Sequence, residues 1–321
     1  MDAPRATRGA PAEELLELVQ LVRRELIVLE EGPTGAWVEE TARDLRSGAK
    51  TGLYVPIAAG GGLAFRSDRG GASFAHVHVG PGAGAPERAE ALARALIEGL
   101  PAEIRSVSLG FTGLTTDDEA PMLVRLAGRP GSTVIRRFAM ERSLGPTDAT
   151  PLPPVPDALR MLPARDVTVD ALADLDRRAF EGTTDELLIG SEPLSYRRVI
   201  EAILAGEVGR FLDEASTALY RSDPPRLLGA LLTCEKSPRH ASFLDFMVEP
   251  HARRRGYGRY LLHWGFRALW ALGYERVRLW VSESNVAARG LYDAEGFRVT
   301  HETTIYRWDR PSGAAQAQPG A

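Results

Sequence analysis

The stretch VEPHARRRGYGRYLL, residues 248–262, crowds four arginines and two glycines between an apparent strand and an apparent helix. No capping side chain of the usual Ser, Thr, Asp or Asn kind stands at the junction. A helix N-terminus carries unpaired N–H groups and about half a positive charge, so it draws anions. Gly256 and Gly258 remove side chains where a ligand must approach the backbone, and they let successive N–H groups converge. Arg253, Arg254 and Arg255 add guanidinium groups, whose fork suits phosphate oxygens. The reading is a strand ending at Val248, an exit stiffened by Pro250, a compact phosphate cradle, and a helix from about Gly256. The alternative is a solvated basic turn. Neither GxGxxG nor GxxxxGK[ST] occurs, which removes the Rossmann and Walker loops.

Working outward, 158–166 reads as a strand, and Val169–Phe180 as a helix with Leu172, Leu175 and Ala179 on one face. Helical spacing returns from Leu194 to Ala205. Three strand-like runs follow, STALY, LLGALLTCE and ASFLDFMV, the last leading into the cradle. The helix beyond it stops at Gly273. RVRLWV alternates as a strand, NVAARGLYDAEG has helical spacing with a terminal glycine, and FRVTHETTIYRW closes as a strand. Strands that run together and then alternate with helices predict a mixed sheet of the α/β or α+β class.

The chain has 321 residues, more than one core normally supports, so two domains are expected. SLGPTDATPLPPVPDAL, residues 143–159, holds five prolines and little that could pack, the composition of an extended linker. The expected division is 1–145, a linker at 146–157, 158–309, and a disordered tail at 310–321. A hydrophobic fraction of 44% and a charged fraction of 26% are ordinary for a globular protein. The net charge of −4 argues against a surface built for nucleic acid. Cys234 is the one cysteine, so no internal disulfide is possible and a reducing, cytoplasmic setting is expected. No run of 18 apolar residues points to a membrane span.

VEPHARRRGYG resembles the pyrophosphate-loop motif of the GNAT superfamily of N-acetyltransferases, V-x-P-x-x-[RQ]-x-x-G-x-[GA], at Val248, Pro250, Arg253, Gly256 and Gly258. LWVSESNVAARGLYDAEGF is similar to a second family pattern through Leu279, Val281, Asn285, Ala288, Leu291, Tyr292, Gly296 and Phe297. The resemblance covers about residues 158–309. It implies that the backbone at Met247 and Val248 binds the pantetheine arm and thioester of acetyl-CoA, or another acyl-CoA. It implies that N–H groups from Arg254 through Tyr257 to Gly258, with Arg253, Arg255 and Arg259 beside them, hold the pyrophosphate. Asn285 is expected near the pantetheine, and Tyr292 at the place of the acid that protonates the leaving thiolate. The reaction implied is acetyl transfer to a primary amine of a small molecule or peptide.

Asp245, Glu283 and Glu235 remain open as the base. EGTTDELLIGSEPLS, residues 181–195, holds Glu181, Asp185, Glu186 and Glu192, which would favour a cationic acceptor if they line the site and are otherwise a solvated charge run. Cys234 lies in an apolar run and reads as core rather than nucleophile.

The first half aligns weakly with the second. SFAHVHVGP, Ser73–Pro81, lines up with SFLDFMVEP, Ser242–Pro250, and each precedes an amphipathic helix. The reading is a tandem pair of GNAT-like domains whose first copy has lost its cradle. In that register Gly84 stands for Arg253, Glu87 for Gly256 and Val124 for Tyr292. A glutamate at that helix start would repel an anion. His76 and His78 share a strand face without an evident third ligand, so no metal is expected. The layout also resembles that of the mycothiol synthase family, which implies a cysteinyl-sugar amine as an alternative acceptor. A non-catalytic acyl-CoA-binding sensor or assembly module is the alternative from another class. Either a monomer of two pseudo-dimeric domains or a homodimer is compatible with the sequence, with no nucleic acid or membrane partner.

Overall fold

The computed structural model describes residues 3–28, 35–69, 72–156, 158–189 and 193–311. The first segment forms β1 (Arg5–Ala6), α1 (Ala12–Val28), α2 (Gly35–Ser47), β2 (Gly52–Val55), β3 (Gly62–Arg69), β4 (Ala72–Val79), α3 (Ala85–Glu98), β5 (Ser106–Thr112), α4 (Thr116–Ala127) and β6 (Ser132–Ser143). The second forms β7 (Leu159–Pro163), α5 (Val169–Phe180), α6 (Glu186–Ile189), α7 (Pro193–Ala205), β8 (Arg210–Phe211), β9 (Thr217–Arg221), β10 (Arg226–Ser237), β11 (His240–Val248), α8 (Tyr257–Ala271), β12 (Arg276–Ser282), α9 (Val286–Ala294) and β13 (Arg298–Asp309).

Two compact units result, one from the described residues of 1–135 and 303–311, the other from those of 136–302. The division differs from the expected linker at 146–157. The reason is strand continuity: β6 belongs to the second unit from Arg136 onward, and β13 belongs to the first from Thr303. Arg310, placed by the sequence reading in the tail, donates to the carbonyls of Leu100, Pro101 and Ile104 in the first unit. Glu192 and the tail from 312 lie outside the described residues.

The first unit has the strand order β1-β2-β3-β4-β5-β13. Here β4 and β5 are parallel and the other pairs antiparallel. The apolar stripes of α3 and α4 bury against one face around Val77, Leu109 and Tyr306, and those of α1 and α2 against the other around Leu63 and Phe65.

The second unit has the order β6-β12-β11-β10-β9-β7, with β8 beside β10. Only β11 and β12 are parallel. The mixed sheet expected from the order of runs is therefore present. On one face α8 buries Leu262, Phe266 and Leu269 against Phe243, Val277 and Leu279. On the other, α5 and α7 bury Leu172, Leu175, Ile200 and Ile203 against Ala230, Leu232 and Met247. Gly265 permits α8 to lie this close, because a Cβ there would stand 2.5 Å from Leu231 Cδ2 and 3.0 Å from the Phe243 ring.

One irregularity in β11 sets the site. Leu232 pairs with Asp245 but Thr233 pairs with Phe243, so Leu244 is an extra residue, a β-bulge. Before the bulge, Ala241 and Phe243 face α8. Strict alternation would put residues 245 and 247 on that same face. The extra residue turns the pattern over: Phe246 and Val248 take the α8 side, and Met247 joins the α5 and α7 core. Asp245 is carried with Met247 to the α5 face.

Phe266 is fully buried, stacked on Phe243 and tilted against Phe297 at centroid distances of 5.8 and 5.9 Å. Phe266→Ala is expected to destabilise the second unit by about 3–5 kcal/mol in urea unfolding. Val124→Ala, at a residue 73% exposed on α4, is expected to change stability by less than about 0.5 kcal/mol.

Candidate active site

The pairing of β11 with β10 continues to Val248, opposite Gly229. Its pairing with β12 covers only His240–Ser242 against Arg276–Arg278. Meanwhile β12 stays on β6 as far as Ser282, opposite Arg137. The strands therefore diverge from Phe243 and Leu279 onward, and their facing edges keep main-chain groups outside the ladder. Met247 and Val248 lie on that edge, where an extended ligand can add as a strand does.

At the end of β11 the chain turns into α8 through Gly256, whose φ of 83° is left-handed and strained for other residues. Arg254 is also left-handed, at φ 64°. Among the described residues no main-chain carbonyl accepts from the N–H groups of Arg254 to Arg259; the first such bond is Tyr260 N–H to Gly256 O, 2.9 Å. Arg254, Arg255 and Gly256 are exposed, and a Cβ on Gly256 would meet nothing within 4 Å. A row of such donors beside open space, with the guanidinium groups of Arg254 and Arg255 unpaired among the described residues, suits a pyrophosphate.

Two residues differ from the sequence reading. Arg253 does not face the cradle: it donates to Ala179 O at 2.6 Å and Val248 O at 3.3 Å, tying the end of α5 to the end of β11. Gly258 serves packing, since a Cβ there would stand 3.3 Å from Leu291 and 3.4 Å from the Phe246 ring. The strand exit is fastened by Glu249, buried, which accepts from Arg178 at 2.7 Å and Arg226 at 3.0 Å. Tyr257 packs at the start of α8, and Arg259 pairs with Glu295 at 2.6 Å.

On the α5 side of β11 the site is acidic. Burial raises the proton affinity of Asp245, an N–H bond from Phe246 partly opposes this, and Asp185 raises it further. The neighbour of Asp245 is Asp176, on α5 and fully buried, which sequence reasoning missed. The signal was available: residues 172, 175, 176 and 179 form one helix face, and a carboxylate sits within that apolar stripe. Burial, then the charge of Asp245, push Asp176 strongly upward. Asp185 accepts from Ser282 Oγ at 2.5 Å and lies 3.9 Å from Arg137 Nη2. Tyr292, on α9, is buried against Phe246 and Phe297, with ring centroids at 6.1 and 5.7 Å. Burial raises its phenol above the ordinary range, with smaller contributions from Asp185 and Asp245.

Residues 173–297 match the family model described as the acetyltransferase (GNAT) family. This segment is a GNAT domain. Solved structures extend the likeness of fold over nearly the whole chain. A GCN5-related N-acetyltransferase from Sphaerobacter thermophilus is 20% identical, with 95% of this chain and 96% of that chain covered and a TM-score of 0.61. A tandem GNAT protein from the clavulanic acid biosynthesis pathway is 16% identical, with 97% and 98% covered and a TM-score of 0.57. A Drosophila protein is 15% identical, with 97% and 100% covered and a TM-score of 0.56. At these identities the likeness is one of fold: two GNAT-like domains in tandem. No curated protein matches the chain in sequence.

Within the GNAT domain the other candidates lie apart from the buried acids. Asn285 is the N-cap of α9, accepting from Ala288 N–H at 3.2 Å. Glu283 pairs with Arg136 at 2.9 Å in a half-exposed position. Glu235 accepts from Arg210 at 2.7 Å and Tyr274 at 2.5 Å. Cys234 is buried, and burial pushes its thiol up to about 11.

The first unit is closed where the GNAT domain is open. There β4 and β5 pair without interruption from Ala72↔Ser106 to His78↔Thr112. Both helices after the parallel strand begin at a left-handed glycine, Gly84 for α3 and Gly256 for α8. Gly84 therefore corresponds to Gly256, and Glu87 to Arg259, a correction of three residues to the sequence register. The loop spans 80–84 against 249–256, and Arg88 fills it, donating to Gly80 O at 2.7 Å and Ala83 O at 2.9 Å. Carbonyls that point at a guanidinium offer an anion nothing. Counting from the caps Thr115 and Asn285, Tyr292 corresponds to buried Met122, whereas Val124 is exposed. His78 is buried, its Nδ1 3.0 Å from Thr112 Oγ1, and burial lowers it to about 4. His76 stacks on Phe65 at 5.4 Å.

At pH 8 a thiol titrating near 11 is about one-thousandth ionised. Iodoacetamide is expected to label Cys234 at least about 100-fold more slowly in the native protein than in urea, as mass spectrometry would record.

Proposed function

We propose that the second unit transfers an acyl group, most simply acetyl, from acyl-CoA to a primary amine, and that the first unit works without a cofactor of its own. The row of N–H groups from Arg254 to Arg259 that no main-chain carbonyl of a described residue accepts from, beside the open edge of β11, carries this reading; in the first unit that edge is closed and Arg88 fills the shorter loop. Held there, an acyl-CoA supplies an activated thioester carbonyl. The edge N–H groups near Met247 and Val248 face the place where negative charge develops on the carbonyl oxygen. Asp245, its proton affinity raised by burial, accepts a proton from the amine. Fixing both reactants against one strand supplies much of the remaining acceleration.

The phenol of Tyr292 titrates above its ordinary value near 10, while a thiol lies near 8.5, so full proton transfer to a leaving thiolate is uphill. Tyr292 therefore stays protonated and acts as a hydrogen-bond donor to the departing sulfur. A passive binding module would need none of this.

Calorimetric titration of acetyl-CoA is expected to show one site per chain. Gly256→Glu, which puts a strained carboxylate into the cradle, is expected to weaken binding at least about 100-fold. Two sites would overturn the closed first unit, and none would overturn the proposed function. Tyr292→Phe is expected to lower kcat about 10- to 100-fold in thiol release with KM for acetyl-CoA nearly unchanged. Tight binding without thiol release across a broad set of amines would favour a sensor.

A further inference from the structure

Asp176 is an anomaly in a well-made core. Its side chain is fully buried on the apolar face of α5, and neither carboxyl oxygen meets a donor from any described residue. It faces Asp245 within hydrogen-bond reach, so the two bond to each other only when one of them holds a proton. A second orphan stands beside them. Tyr196, on α7, is fully buried and its hydroxyl has no partner among the described residues, with Asp176 and Glu186 as its acidic neighbours. Leaving such groups unmatched costs stability, and a core of leucines and isoleucines at these positions would not.

We propose that Asp176, Asp245 and the Tyr196 hydroxyl form the receptor for the acceptor's ammonium group, with Asp176 as the positioning residue that makes Asp245 a proton acceptor. This rests on the acyltransfer reading above and specifies its acceptor as a primary amine that arrives as R–NH3+. An ammonium brings three N–H donors and a positive charge, which is what two buried carboxyls and a phenol oxygen lack. A metal ion fits less well, because the described residues form no group of three or more His, Cys, Asp or Glu placed to hold one.

The proton balance is complete. One proton passes from R–NH3+ to the ionised carboxylate of the pair, and the nitrogen lone pair then forms the C–N bond as the C–S bond breaks. The nitrogen loses a second proton, the thiolate takes up one, and one proton leaves to solvent. The charged groups around the pair are Asp185 before α6, Glu186 on α6 and Arg137 on β6, with Glu181 and Arg177 acting on Tyr196 and the charge of Asp245 acting on the Tyr292 phenol.

The sign of the pH effect follows from the raised native proton affinity of Asp176. The native state holds that proton above the unfolded carboxylate value near 4, so its stability contribution is present at low pH and lost as pH rises. Asp176→Asn keeps the shape, removes the buried charge and offers Asp245 a donor. In thermal unfolding the variant is expected to match the wild type near pH 4 and to exceed it by roughly 3–8 °C at pH 8. Butylammonium chloride, compared with sodium chloride, is expected to raise the wild-type midpoint at pH 8 and to leave that of the variant unmoved. Calorimetry with acetyl-CoA is expected to give equal affinities for both proteins. A variant less stable than the wild type at pH 8 would make Asp176 a structural residue and overturn the proposal. So would a wild type indifferent to butylammonium. Failure of the wild type to bind acetyl-CoA would remove the acyltransfer reading while the two stability comparisons still decide the ammonium site.

Discussion

The parallel pairing between β11 and β12 stops after Ser242 and Arg278, and the GNAT domain depends on that early stop. Each strand remains fully engaged on its other side, β11 with β10 and β12 with β6, so the divergence costs only the ladder bonds of the open edge. The bulge at Leu244 lies just beyond the stop, and a bulge increases local twist. It also rotates the rest of the strand by one side-chain position. One extra residue thus accounts for two properties: an exposed main-chain edge and a carboxylate, Asp245, turned into the α5 face. The parallel pair β4 and β5 in the first unit stays zipped to His78 and Thr112. The two copies differ first in strand pairing and only then in side chains.

A buried acidic site needs a rigid frame. Asp176 and Tyr196 together leave three buried polar atoms without partners among the described residues, each worth about 1–3 kcal/mol of lost stability. Fixed contacts surround them. Glu249 is clamped by Arg178 and Arg226, Arg253 joins Val248 to Ala179, and Asp185 is held by Ser282. These contacts connect α5, the end of β11 and the end of β12, the same elements that present the acids. The arrangement keeps like charges together because the elements carrying them cannot move apart.

The helices and strands of the second unit were legible because their signals are periodic and local: Val169–Phe180 has its apolar residues on one face, and Gly273 ends α8. The turn into α8 was legible because left-handed Gly256 and the N–H row depend on backbone chemistry near one point. What the residues did not disclose depends on partners far along the chain. Arg253 reads as a phosphate ligand until Ala179, 74 residues earlier, is seen to accept from it. The two units divide within β6 and within β13 rather than at the prolines, a choice that composition does not encode. Asp176 lay within a helix whose apolar face was recognised, and its carboxylate was passed over as one more polar residue on α5.

The cradle itself shows why counting charges misleads. Both helices after the parallel strand start at a left-handed glycine, so that glycine alone does not make an anion site. Loop length decides between them. From Glu249 to Gly256 the chain has room to turn the N–H groups of Arg254 to Arg259 outward, free of acceptors. From Gly80 to Gly84 the loop is three residues shorter, and the carbonyls of Gly80 and Ala83 turn inward onto Arg88. A guanidinium is therefore found at both turns, with opposite meaning: in the first unit it neutralises inward carbonyls, and in the second Arg254 and Arg255 stand free beside outward N–H groups. At the first turn carbonyls face the guanidinium, whereas at the second the exposed arginines stand beside N–H groups that no main-chain carbonyl of a described residue accepts from.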